Sequence, residues 1–171
     1  MKKHLTFLSL LFILATCFDI SSCTKPDDPP DDTPPLEGIF SHEDSVLFNL
    51  INQFRISQNL SELKASRTIW VVANIQSLGM AKGEKPLSHE GFDTRSEQVR
   101  KIMKSMGLTG EDKVGENLAS ITPNVLKSLV NIWSQSPEHK RNITGDYTYC
   151  AVSTVSDDAG EFYYITALFY K

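Results

Sequence analysis

The chain has 171 residues, the length of one domain. Hydrophobic residues make up 40% of it and charged residues 22%, which excludes wholesale disorder. The net charge of -4 excludes a general attraction to nucleic acid, and no nucleic-acid partner is expected. These averages conceal three unlike segments in series.

The first segment reads as an export signal. Lys2 and Lys3 precede a run from Leu5 to Phe18 that is apolar apart from Thr6, Ser9 and Thr16. That run suits a signal-peptide core and is short for a membrane-spanning helix. Ile20-Ser21-Ser22-Cys23 follows, and it resembles the lipobox of bacterial lipoproteins. The resemblance implies a signal peptide over 1–22, lipid on Cys23 and a membrane partner reached through that anchor. Leu14-Ala15-Thr16-Cys17 is a poorer match, because Thr16 is larger than the usual small residue before the Cys.

The second segment, about 23–40, reads as a tether. Pro26, Pro29, Pro30, Pro34 and Pro35 stand among Asp27, Asp28, Asp31 and Asp32. Proline interrupts helices and clustered aspartates repel, so an extended linker is expected. Nearly all the net charge belongs here, and the body from 38 onward carries 14 basic and 15 acidic residues. An acidic stretch behind a lipidated Cys resembles the surface-export signals of some Gram-negative lipoproteins. The expected location is therefore the bacterial envelope, on the outer membrane, at its periplasmic or outer face. With Cys23 lipidated, Cys150 has no disulfide partner, and its apolar surroundings mark it as a buried structural residue.

The third segment, 41–171, is the domain. Ser41 and Asp44 form a capping-box pair ahead of Val46, Leu47, Leu50, Ile51 and Phe54 at helical spacing. The pattern predicts a second helix over about 66–82, and the width of its apolar side predicts burial. A third is expected over 95–106, with Val99, Ile102, Met103 and Met106 on one face and Gly107 as its stop. Thr122-Pro123 opens a fourth, which Pro137 ends. The period then changes. Two strands, 147–155 and 161–170, flank a turn at 156–160 and predict an antiparallel hairpin. Helices ahead of a hairpin indicate an α+β sandwich.

Three polar segments stand out, each read as a loop: Ser88-His89-Glu90-Gly91, Gly115-Glu116-Asn117-Leu118-Ala119 and Ser136-Pro137-Glu138-His139-Lys140-Arg141-Asn142-Ile143. In this order, with Trp133 three residues before Ser136, they resemble the CAP superfamily in its bacterial SCP-like form. That superfamily holds the cysteine-rich secretory proteins, antigen 5 and the pathogenesis-related 1 proteins. The segment from Asn49 to Arg55 is similar to the family's opening helix. The resemblance implies a three-layer α-β-α sandwich with a cleft lined by His89, Glu116 and His139. Glu138 is the candidate for a fourth cleft member, because Ser136 stands where many eukaryotic relatives have Glu. Lys140 replaces the usual Arg after the second cleft His.

Two neutral imidazoles, His89 and His139, can bind Zn²⁺ or another divalent cation with a carboxylate beside them. Such a site is open and exchangeable. The same three residues can equally form a hydrogen-bonded network that holds the segments in place. Three functions follow. One, which the resemblance implies, is a non-enzymatic module binding a lipid, sterol or protein ligand. Another is a metal-assisted hydrolase with Glu116 as general base. The third is a structural envelope lipoprotein. The zincin motif is absent, since Asp93 stands where it needs a second His, and there is no nucleophile elbow or P-loop.

Overall fold

A computed structural model describes residues 40–108 and 110–171. The leader, Cys23 and the tether up to residue 39 lie outside the described residues. The elements in chain order are α1 (His42–Ser57), β1 (Lys64–Ala65), α2 (Arg67–Ala81), α3 (Phe92–Ser105) and β2 (Val114–Ile121). A 3-10 turn (Pro123–Ser128) leads into α4 (Leu129–Gln135), followed by α5 (Pro137–Ile143), β3 (Tyr149–Ser156) and β4 (Tyr163–Tyr170).

The strands form one sheet in the order β1-β3-β4-β2. The expected hairpin is present: β3 and β4 pair antiparallel from Tyr149↔Tyr170 to Ser156↔Tyr163. β2 pairs antiparallel with the other side of β4, and β1 adds a short parallel contact to β3. Alternate residues face opposite sides of a sheet. Cys150, Val152, Ile165, Ala167 and Phe169 therefore enter a core with α1, α4 and α5. Ala151, Leu168 and Tyr170 enter another with α2 and α3. The result is the expected α-β-α sandwich. Among the described residues, the buried members of both cores lie between 47 and 170, so this body carries a hydrophobic interior. Neighbouring Phe169 and Tyr170 fill opposite cores and Phe162 stays partly exposed, so alternation, not a groove, accounts for the hairpin aromatics.

Three local expectations change. The Gly115–Ala119 segment is not a loop but the middle of β2. Gly, Glu and Asn are poor strand formers, and pairing with β4 along the whole strand overrides that. His139 likewise sits on a helix, because Pro137 stops α4 and also occupies the first turn of α5. The fourth helix is split, its first turns being 3-10. In addition, α3 starts at Phe92, and Met106 lies exposed beyond its end.

Polar side chains close the gaps between layers. β1 covers only the start of β3, so the outer edge of β3 is open at Thr154. Asp44 of α1 accepts from the Thr154 N–H at 2.6 Å and from the indole N–H of Trp70 in α2 at 2.9 Å. It also completes the capping box with Ser41. One buried carboxylate thus joins α1, the sheet edge and α2. Burial pushes its pKa up, against the pull of these donors. On the same helix, the Asn52 amide exchanges two hydrogen bonds with the backbone of Leu63, at 2.9 and 3.0 Å. The Arg55 guanidinium donates to the carbonyls of Ser61, Ile143 and Gly145, and so caps the end of α5.

Replacing Asp44 orphans three donors. Asp44→Ala is expected to cost about 2–3 kcal/mol in urea unfolding, while Asp44→Asn, which keeps one acceptor oxygen, costs about half as much.

Candidate functional site

The site is built on β2, the edge strand on the far side of the sheet from β1. Glu116 pairs with Leu168 and Asn117 with Ala167, so these consecutive side chains point to opposite faces. Glu116 goes under the α2–α3 layer and Asn117 toward α5. The residue before them is glycine, and a larger one would have to displace its neighbours. A Cβ at Gly115 would sit 2.6 Å from the Tyr147 hydroxyl and 2.9 Å from Asn142 Oδ1.

Glu116 is sealed, with 1% of its side chain exposed. Arg95 of α3 grips it through two parallel hydrogen bonds, Nε to Oε2 at 2.6 Å and Nη2 to Oε1 at 2.7 Å. This bidentate geometry is the strongest that arginine makes with a carboxylate. Nη1 of the same guanidinium reaches Gln76 of α2 at 3.1 Å and the Glu90 carbonyl at 2.8 Å. The latter contact pins the loop that carries His89. Gly91 closes that loop with φ 74°, in the left-handed region, and a side chain there would crowd Arg95.

His89 projects from this loop with its Nδ1 held by Glu116 Oε1 at 2.9 Å. Its side chain is 57% exposed, so the ring is open to solvent beyond this hydrogen bond. His139 comes from the opposite layer. Its ring packs against buried Trp133, with centroids 6.0 Å apart. Asn117 donates to the His139 carbonyl at 3.1 Å, and Asn142 donates to the Glu116 carbonyl and to Asn117 Oδ1. The second and third motifs are therefore tied backbone to side chain. The two imidazoles lie near enough for His89 to influence His139. Burial lowers the His139 pKa, the charge of His89 adds to that, and Glu138 opposes it.

Glu138 itself is exposed and accepts only a long hydrogen bond, 3.3 Å, from Ser136. Among the described residues, no group of three or more His, Cys, Asp or Glu side chains is placed to hold a metal ion. Catalytic zinc centres use three protein ligands. The set here offers two imidazoles, while Arg95 already neutralises the Glu116 carboxylate. The residues present do not fit a resident zinc centre. Cys150 is buried, and burial pushes its thiol pKa far up, so it is no nucleophile.

Sequence reasoning overlooked Arg95. Its signal was a charged residue four positions before Val99, on the apolar stripe of α3. Asn117 and Asn142 lay inside the quoted motifs, but only the structure gives them a role.

Arg95→Ala strands a buried carboxylate and is expected to cost about 3–5 kcal/mol in chemical unfolding, whereas Arg95→Met with Glu116→Met recovers much of the loss. The depressed pKa of His139 means the folded protein resists a proton that the unfolded chain accepts near the ordinary histidine value of 6.5. Stability is therefore expected to fall as pH drops below 6.5, and His139→Gln flattens that slope in melting curves taken across pH 5–7.5.

Comparison with known proteins places this geometry. The family model described as the cysteine-rich secretory protein family, CAP, matches residues 48–169. No curated protein sequence matches the chain. An outer surface protein of Borrelia burgdorferi superposes with TM-score 0.62 at 21% identity, covering 75% of this chain and 92% of that one. An extracellular protein of Bacillus anthracis containing an SCP domain gives TM-score 0.55 at 21% identity, covering 75% of this chain and 40% of that one. The venom allergen-like protein 4 of Schistosoma mansoni gives 0.52 at 11% identity, over 77% and 90%. At these identities the structures share the fold alone. The family match spans both cores except Leu47 and Tyr170, together with all three polar motifs, and the chain belongs to the cysteine-rich secretory protein (CAP) family.

Proposed function

We propose that the chain is an exported, lipid-anchored binding module of the bacterial envelope, and that its cleft binds a ligand without hydrolysing it. The observation that carries this reading is the state of Glu116. A general base must reach the water it activates. Glu116 is sealed under Arg95, with both oxygens engaged. Its role here is to orient His89, so that the free imidazole nitrogen of His89 and the ring of His139 form the ligand-facing groups. A small ligand with hydrogen-bonding groups fits them. A divalent cation would meet two imidazoles and water, an exchangeable site. The leader sequence supports export, as do neighbours described as an outer surface protein and an extracellular protein.

Two measurements check the reading. Zn²⁺ binding is expected to be reversed by a brief chelator wash. It should be lost in the His89→Ala, His139→Ala double variant without a lower melting temperature. Chelator-sensitive hydrolysis of a peptide library that disappears in Glu116→Gln overturns the binding reading in favour of the hydrolase. For the anchor, Cys23→Ser is expected to move the protein from the membrane to the soluble fraction and to abolish labelling by radioactive palmitate. Retention of both excludes Cys23 as the lipidated residue.

A further inference from the structure

The outer face of α2 departs from what its position demands. The helix covers the sheet with Ile69, Val72 and Ala73, yet Val71, Ile75 and Leu78 face solvent, at 47%, 56% and 38% exposure. Their spacing of four and three residues puts them on one stripe. Arg67 begins that stripe and Lys82 follows its end, both exposed. Lys85 folds back alongside, its Nζ 3.4 Å from the Ile75 carbonyl. α2 contains no acidic residue, and the nearest acid beyond its end is Glu84.

We propose that this face docks on a lipid bilayer bearing anionic headgroups. The aliphatic stripe enters the boundary between headgroups and acyl chains, while the cations at its ends meet the headgroup charge. The charges at its two ends favour anionic headgroups over a second copy of the chain. A second copy of the chain would oppose Arg67 to Arg67 in parallel pairing and to Lys82 in antiparallel pairing, and like charges repel in both. The three central side chains carry no polar group, so none opposes insertion at the acyl-chain boundary. The inference is independent of lipid on Cys23 and of the cleft, because it concerns a different surface of the folded body.

The test uses residues 24–171, which keep both cores and omit the leader and Cys23. Flotation with phosphatidylcholine vesicles containing phosphatidylglycerol is expected to carry the protein upward at low salt. Pure phosphatidylcholine vesicles bind at least tenfold less, and raised salt weakens binding to the anionic ones. Val71→Ser, Ile75→Ser and Leu78→Ser together are expected to reduce the partition coefficient at least tenfold. Arg67→Glu with Lys82→Glu does the same, and it serves as the readout if the triple variant fails to fold. The proposal is overturned if the unaltered protein ignores anionic vesicles or if neither set of substitutions changes binding. It is equally overturned if sedimentation shows a dimer that the triple variant dissolves, or if an acidic protein occupies the face in place of lipid.

Discussion

The bidentate pair between Arg95 and Glu116 is the constraint on which the candidate site depends. A carboxylate in the middle of a strand, under two helices, is costly to desolvate, and only a matched cation with further hydrogen bonds offsets that cost. Arg95 meets the demand and uses its remaining nitrogen on Gln76 and the Glu90 carbonyl. One side chain therefore fixes α3 to the sheet, α3 to α2, and the His89 loop to both. The orientation of His89 follows from this, because its Nδ1 partner is the carboxylate that Arg95 holds still.

The same logic recurs on the other face of β2. Asn117 and Asn142 bind each other, and each also binds a main-chain carbonyl across the gap to its neighbour's element. Strand and helix are thereby set at a fixed separation, with Gly115 admitting the Tyr147 ring between them. Cleft and scaffold are one structure here. The polar residues that look like chemistry are also those that hold the layers in register, as Asp44 does at the opposite edge of the sheet. A carboxylate so engaged serves as a strut and an orienting group.

The legibility of the sequence followed the length scale of each interaction. α1, α2 and the β3–β4 hairpin were visible because capping, helical period and strand alternation are local signals. β2 was not, since Gly-Glu-Asn becomes a strand only when β4 lies beside it. α5 was misread because Pro137 ends one helix and starts the next, and the residues before a proline carry the clearer signal. His89, Glu116 and His139 stood out by motif, yet the side chain that holds Glu116 in place is Arg95, which the motifs do not include.

What the sequence determined by itself was the α+β body, its family, and the motifs that carry His89, Glu116 and His139. These rest on composition and on neighbours along the chain. Tertiary structure alone decided what Glu116 does. The ion pair with Arg95 closes across 21 residues, and the hydrogen bond to His89 closes across 27. No local pattern encodes whether a buried carboxylate meets water, a metal or a guanidinium. That depends on which side chain the packed helices bring against it.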